Sequence, residues 1–335
     1  MYNDRNSLFN IIDNFKNKNI LVIGDIILDE YIWGKASRLS PEAPVPVLEV
    51  KHKTHVAGGA SNVANNICTL GGNAYLCGVL GNDLYFDILK NIFNNNKINS
   101  DMIIKDESRP TTVKTRLIAH NNQQLARVDS ESRTAISSKT IDRIIEQVEN
   151  NISKVDLIIC SDYSKGVLQK ELIEKIITIA NKNGVKILVD PKGLDFSKYY
   201  GVNYITPNLS EAYGATKSES TRELNDVARD LMQITGADNV MITLSEDGVY
   251  SYDGSKEITM PAVSSEVYDV TGAGDTFLSA FSLAIVSDAD IESALALANY
   301  AAGVAVRKVG TTAVTTAQLK DIITSYLSTP VEVGV

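Results

Sequence analysis

Apolar runs of strand length alternate with amphipathic stretches of helix length along most of the chain. The runs at 19–28 (NILVIGDIIL), 74–80 (AYLCGVL), 155–162 (VDLIICSD), 185–190 (VKILVD), 203–206 (NYIT) and 239–244 (NVMITL) read as strands. Between them, 60–70 (ASNVANNICTL), 139–152 (KTIDRIIEQVENNI) and 221–234 (TRELNDVARDLMQI) read as amphipathic helices. Gly71 and Gly72 stop the first of these, because glycine accepts the left-handed backbone at a helix end. Strands apolar on both faces and separated by helices predict an α/β fold with a mostly parallel sheet covered by helices.

Two stretches break the alternation. Residues 31–57 (YIWGKASRLSPEAPVPVLEVKHKTHVA) are interrupted by prolines and continue as VPVLEV; residues 108–130 hold two strand-like segments, TTVKTRLIA and QQLARVD, around the polar turn HNNQ. Neither contains a helix. They predict a small discontinuous β unit (31–57 and 108–130) projecting from an α/β core built of 1–30, 58–107 and 131–335. Neither internal repeats nor long low-complexity tracts interrupt the plan. In open α/β sheets ligands gather at the carboxyl ends of the strands, so the strand-end residues are where chemistry is expected.

Charge and composition narrow the function classes. A formal net charge of -9 on 335 residues argues against a nucleic-acid partner, which demands a basic surface. No apolar run approaches the roughly 18 to 20 residues that cross a bilayer, and the polar start MYNDRNSLFN has no signal-peptide profile. A cytoplasmic protein with no membrane partner is expected. Cys68, Cys77 and Cys160 are isolated, as small core residues of a reducing compartment would be. His52 and His55 sit in KHKTH, a spacing that does not converge on a metal in an extended chain. Chemistry therefore falls to carboxylates, backbone amides and a bound cation.

The segment DVTGAGDTFLSAF (269–281) launches an amphipathic helix from three small residues, Gly272, Ala273 and Gly274, followed by a carboxylate, Asp275. A helix N-terminus carries unpaired N–H groups and a partial positive charge, and small residues let an anion approach them. The segment reads as a phosphate socket with a base beside it. Asp275 would take a proton from an attacking hydroxyl while the amides neutralise a transferring phosphoryl group. An ordinary dipole-stabilising acid in a first turn is the alternative. The dipole is expected to keep Asp275 ionised and therefore a weak base.

Other strand ends supply further candidates. In VIGDIILDEY, Asp25 and Asp29 share one side of an extended chain and need donors, which a polyhydroxylated ligand supplies; turn-forming aspartates are the alternative. In HVAGGASNVANN, Gly58 and Gly59 form either a turn or a close approach to a ligand, with Asn62 in the next helical turn. In TPNLSEAY, Asn208 and Glu211 face one way on a helical turn, as hydrated Mg²⁺ requires, or form a capping box. DPKG puts Asp190 and Lys192 at another strand end, where Lys192 could meet a phosphate. Arg38, Lys114, Arg116 and Arg127 concentrate positive charge in the two β insertions.

Together these motifs resemble the ribokinase-like (PfkB) carbohydrate kinases over nearly the whole chain. DVTGAGDTF is similar to that family's C-terminal signature, GGASNVA to its glycine motif and NLSE to its N-x-x-E motif. GDIILDEYIWGKASRLSPEAPVPVLEV, SDYSKGVL, VDPKGLDFSKY, TPNLSEAY and EVYDVTGAGDT resemble more narrowly the D-glycero-β-D-manno-heptose 7-phosphate 1-kinases, including the kinase half of the bifunctional heptose kinase/adenylyltransferase. The resemblance implies a ribokinase-like three-layer sandwich with a small β-sheet lid that also makes a homodimer contact. It implies ATP and Mg²⁺, and leaves a monovalent-cation requirement open. Asp275 would be the base acting on the anomeric hydroxyl, with amides of 272–274 as the anion hole.

Asn208, Leu209, Ser210 and Glu211 would lie at the ATP site, as would Asp190 and Lys192, with Asn208 and Glu211 acting on Mg²⁺ through water. Ser245, Gly248, Asn299 and Ala302 would border the adenine. Asp25, Asp29, Gly58, Gly59 and Asn62 would hold sugar hydroxyls, and Arg38, Lys114, Arg116 and Arg127 the 7-phosphate. The tail after TTAQLKDIITSYL carries no H-x-G-H-type pattern, so a stand-alone kinase without an adenylyltransferase domain is expected, with a separate adenylyltransferase in a surface-polysaccharide pathway. A kinase of another phosphosugar or a nucleoside, and a catalytically silent sugar-binding protein of the same fold, are the competing readings. An oxidoreductase is disfavoured, because VIGDIILDEY lacks the G-x-G-x-x-G turn.

Overall fold

The computed structural model describes residues 4–263, 267–308, 310 and 313–328; Glu266, which opens the EVYDVTGAGDT segment, lies outside them. Helix α1 (Arg5–Asp13) leads into β1 (Asn19–Gly24). β2 (Ile26–Leu39) and β3 (Pro46–Gly59) then leave the main sheet, and α2 (Ala60–Thr69) returns to it. β4 (Asn73–Gly81), α3 (Leu84–Asn95) and β5 (Asn99–Asp106) follow, and β6 (Thr112–Ile118) and β7 (Gln124–Ser130) leave again. From α4 (Ser138–Asn151) the alternation resumes through β8 (Leu157–Ser161), α5 (Lys170–Asn183), β9 (Lys186–Asp190), β10 (Tyr204–Ile205), α6 (Leu209–Thr216), α7 (Leu224–Thr235) and β11 (Asn239–Thr243). A hairpin, β12 (Val249–Tyr252) and β13 (Glu257–Met260), precedes α8 (Ala273–Val286), α9 (Ile291–Ala305) and α10 (Thr316–Ser328).

The described residues form a nine-stranded sheet in the order β13-β12-β11-β10-β9-β8-β1-β4-β5. It is parallel except for β12 and β13 at one edge. Alternating residues of β1 explain the layers. Ile20 and Val22 face a core completed by Val63, Phe281 and Leu297, while Leu21 and Ile23 face one completed by Ile144, Ile173 and Val227. Both faces of the strand are apolar because both are covered. Helix α8 is buried from Asp275 to Ala284, wedged between α2 and α9, so apolar residues run round it and its two serines, Ser279 and Ser282, donate to backbone carbonyls.

The second sheet has the order β3-β2-β6-β7. It begins earlier than the polarity pattern suggests. The run 19–28 is not one strand: at Asp25 the backbone turns out of the main sheet, donating to the Ser161 carbonyl at 3.3 Å and accepting from the Ala60 amide at 3.0 Å. Strands β2 and β3 pair from Ile26↔Gly59 outward, so divisions drawn at 30/31 and 57/58 fall inside continuous strands. Asp29 consequently stands in the small sheet, opposite Val56 on one side and Lys114 on the other. Among the described residues no helix is long and apolar enough to cross a membrane.

Candidate active site

Gly272 caps α8 in the left-handed region, φ 82°, which glycine adopts without strain. This turn delivers Asp275 to the inner end of a cavity of about 210 Å³ at the carboxyl ends of the strands. Asp275 is 5% exposed. Its Oδ2 accepts from Asn62 Nδ2 at 2.6 Å and its Oδ1 from the Tyr163 hydroxyl at 2.7 Å. Burial pushes its carboxyl up to about 6 against the pull of these two bonds, Asp29 adds to the rise and Lys114 opposes it. Near neutral pH the carboxylate is thus still the main form, and burial makes it a stronger base than an ordinary aspartate.

The socket is narrower than three amides. Ala273 N–H donates to the Val270 carbonyl at 3.2 Å, so it closes the turn and does not point at a ligand. Gly272 and Gly274 line the cavity beside Asp275, and a Cβ placed on Gly274 would meet nothing within 4 Å. Open space therefore lies directly above the first helical turn, where amides have no carbonyl partner in the helix.

Opposite the socket, Asp190, Lys192, Asn208 and Glu211 complete the cavity wall. Asn208 and Glu211 form the capping box of α6: Glu211 N–H donates to Asn208 Oδ1 at 2.9 Å and Asn208 N–H to Glu211 Oε2 at 3.0 Å. The other Glu211 oxygen takes Lys192 Nζ at 2.5 Å. Capping does not exclude a ligand role, since the same carboxylate faces the cavity. Leu209 instead packs against the core and Ser210 is exposed, so neither lines it. Burial, with Asp275 and Glu211 adding repulsion, raises the Asp190 carboxyl well above the usual range. A divalent cation would relieve that accumulation of negative charge, so the donor set fits hydrated Mg²⁺.

A second, apolar cavity of about 370 Å³ adjoins the first, sharing Thr243, Gly274 and Phe277. Ser245, Gly248, Asn299 and Ala302 all border it, beside Val263 and Val270. Gly248 is at φ 97°, where a Cβ would lie 2.0 Å from the Met260 carbonyl, so only glycine fits. Asn299 Nδ2 donates to the Pro261 carbonyl at 2.7 Å, fixing its amide at the rim. A largely apolar cavity opening onto a polar one lined by Gly272, Gly274 and Lys192 suits a nucleoside triphosphate.

On the side of the small sheet several expectations change. Asp25 is not a sugar ligand: its oxygens accept the amides of Tyr163 at 2.9 Å, Lys165 at 3.1 Å and Val167 at 3.2 Å. It does not converge with Asp29, since the intervening backbone changes sheet. Asp29 has found a protein donor, Arg116 Nη1 at 2.5 Å, which ties up that arginine. Gly58 and Gly59 are packing glycines. A Cβ on Gly58 would lie 2.4 Å from Asp29 Oδ2, and one on Gly59, at φ 56°, 2.4 Å from the Asp25 carbonyl. Asn62 reaches Asp275.

The four basic candidates do not form one cluster. Arg38 is exposed, 4.0 Å from Glu49, and nine residues beyond Asp29 along β2, about 30 Å for an extended chain. Arg127 is exposed and chelates Asp129 at 2.9 and 3.0 Å. Lys114 alone of the four has no ion pair among the described residues. Its ammonium lies 5.8 Å from the Tyr163 ring centroid, and burial lowers its pKa while Asp29 draws it up. Tyr163 itself was missed in the residue-level reading. Its signal is its place just past the carboxyl end of β8, in SDYSKGVL.

The family profile for pfkB family carbohydrate kinases matches residues 17–318. The bifunctional protein HldE of Desulfatibacillum aliphaticivorans is 42% identical over 309 residues, covering 91% of this chain and 63% of that protein. The bifunctional protein HldE of Aliarcobacter butzleri is 45% identical over 302 residues, covering 90% and 63%. The chain thus spans less than two thirds of these relatives, and their names as bifunctional proteins lend no support to a separate adenylyltransferase. Arabidopsis thaliana ribokinase complexed with ribose and ATP superposes with a TM-score of 0.72 at 18% identity, covering 91% of this chain and 98% of that one. At that identity the likeness establishes the ribokinase-like fold.

Proposed function

The chain belongs to the pfkB family of carbohydrate kinases, phosphotransferases with a hydroxyl acceptor, and on that footing we propose that it phosphorylates O1 of D-glycero-β-D-manno-heptose 7-phosphate with ATP. The observation that carries the chemistry is the buried Asp275 carboxylate, held by Asn62 and Tyr163, at the junction of a polar and an apolar cavity. The choice of sugar is supported by the resemblance of GDIILDEYIWGKASRLSPEAPVPVLEV, SDYSKGVL and VDPKGLDFSKY to the heptose 7-phosphate kinases, and by relatives of 42–45% identity named bifunctional protein HldE.

Asp275 accepts the proton of the sugar O1 hydroxyl as that oxygen attacks the γ-phosphorus of ATP, and ADP departs with the electron pair of the broken P–O bond. Amides at the head of α8, beginning with Gly274, stabilise the charge on the transferring group. Mg²⁺, when bound with the triphosphate, would be held through water by Asn208, Glu211 and Asp190 and would supply charge neutralisation. Ser245, Gly248, Asn299 and Ala302 border the adenine, Asp29 orients the sugar while Asn62 holds Asp275, and Lys114 faces the sugar phosphate. The small sheet acts as a lid and as the contact of a homodimer.

A coupled ADP-release assay over both heptose 7-phosphate anomers, with NMR locating the new phosphate on O1, tests the reading. Asp275→Asn should lower kcat by roughly 10²- to 10⁴-fold. Preference for a fructose phosphate would overturn the sugar assignment, and near-normal turnover of the variant would overturn the mechanism.

A further inference from the structure

Tyr163 stands at the start of the loop after β8, and the fold invests unusually in fixing it. Asp25, 1% exposed, accepts three backbone amides from that loop, including Tyr163's own at 2.9 Å. Within the same loop Ser164 adopts φ 53°, and Gly166, at φ 88°, lies so close to Thr134 that a Cβ would sit 2.1 Å from its carbonyl. Lys165 Nζ reaches Glu131 Oε2 at 2.7 Å, and the Arg109 guanidinium donates to the Lys165 carbonyl. These contacts tie the loop to the segment leaving β7. The ring they position places its hydroxyl 2.7 Å from Asp275 Oδ1 and has the Lys114 ammonium 5.8 Å from its centroid.

We propose that Tyr163 is a positioning residue for the phosphoryl transfer: its phenol pins the Asp275 carboxylate in the orientation that receives the acceptor proton. The proposal rests on the base role assigned to Asp275 above. With Asn62 on Oδ2 and Tyr163 on Oδ1, the carboxylate cannot rotate about its terminal bond without breaking two short hydrogen bonds, and each oxygen keeps a lone pair for substrate. The proton goes from the sugar hydroxyl to Asp275, and Tyr163 keeps its own. Burial and the surrounding carboxylates hold the phenol pKa well above 10, so it remains a donor throughout the working range. The other charged groups facing Asp275 are Asp29 from β2, Lys114 from β6 and Asp190 from the end of β9. In this frame Asp25 acts two steps from the chemistry, by holding the loop that holds the tyrosine.

The test is the pH profile of kcat for the full chain and for Tyr163→Phe, with heptose 7-phosphate and saturating ATP. Losing a hydrogen bond to a charged group should lower the plateau kcat roughly tenfold and move the acidic limb up by about one pH unit, with KM for ATP unchanged. An unmoved limb with wild-type kcat overturns the proposal. If Tyr163→Phe does not fold, uniform 3-fluorotyrosine labelling gives a more acidic phenol and a stronger bond. The limb should then move down, and an unmoved limb overturns the proposal equally. Loss of activity in Asp275→Asn with no limb shift in Tyr163→Phe would sink this inference alone, whereas wild-type protein inert toward every sugar would sink the reading beneath it.

Discussion

Asn62 Nδ2 lies 2.6 Å from Asp275 Oδ2, joining residues 213 positions apart across the N-termini of two helices, α2 and α8. The contact is 1% exposed on the asparagine side and 5% on the aspartate side. In that environment a hydrogen bond to a carboxylate is among the stronger single interactions available. Asn62→Ala should therefore reduce kcat about tenfold while leaving KM for ATP within twofold, read by steady-state kinetics above pH 7. Unchanged kcat would show that the bond is structural only.

The Asp275 carboxyl is raised from 3.8 to about 6 in the folded chain. A raised folded pKa means that the proton is bound more tightly when folded, so the associated stability is present below the unfolded value and lost as pH rises through about 6. At pH 8 the ionised carboxylate costs about 3 kcal/mol relative to the acid form. Asp275→Asn removes that cost but satisfies only one of two donors, so a net gain of about 1 to 2 kcal/mol is expected at pH 8, turning into a net loss of about 1 kcal/mol near pH 4, where little ionisation cost remains to be removed. Urea unfolding at the two pH values checks it; a less stable variant at pH 8 contradicts it.

Gly58 has no room for a side chain, because Asp29 Oδ2 would lie 2.4 Å from its Cβ. Gly58→Ala should push the Asp29 carboxylate off Arg116, lowering stability by about 1 to 3 kcal/mol and raising KM for the sugar. Denaturant midpoints and sugar titrations measure the two effects separately.

Glu211 serves both the α6 cap and the cavity wall, and two substitutions separate the roles. Glu211→Gln keeps an acceptor for the Asn208 amide but removes the charge. Its Tm should stay near wild type while the Mg²⁺ concentration for half-maximal activity rises several-fold. Glu211→Ala should show the same metal effect and lose about 1 kcal/mol of stability with the cap.

Lys114→Met retains an apolar stem over Tyr163 without the charge. KM for the phosphorylated sugar should rise roughly 10- to 100-fold, while kcat/KM for the unphosphorylated sugar changes little. Arg127→Met, whose guanidinium is already satisfied by Asp129, should have a much smaller effect. Equal effects of the two variants would refute the assignment of Lys114 to the phosphate.

Six of the nine main-sheet strands (β1, β4, β8, β9, β10 and β11), the helices at 60–70, 139–152 and 221–234 and the β character of the two insertions follow from local pattern, because apolar periodicity reports which faces are covered. Strand β5 and the hairpin of β12 and β13 do not stand out in the pattern, since β5 alternates buried and exposed positions, the hairpin strands have only four residues each, and two of the four in β13 are exposed. Asp29 and Arg116 were each legible as charges in need of a partner, yet nothing in one sequence says that they are each other's partner.

What the chain alone determined was the α/β class, the helix start after Gly272, the Asn208–Glu211 turn and the small residues that make a socket. These depend on neighbours a few positions apart, and short-range sterics and hydrogen bonding are written locally. Only tertiary structure decided that Asp25 holds a loop, that Asp275 is buried enough to titrate near 6, and that Tyr163 and Asn62 grip it from opposite sides. Desolvation and hydrogen-bond pairing depend on what folding brings alongside, from 112 positions away for Tyr163 and 213 for Asn62, and no local pattern encodes that.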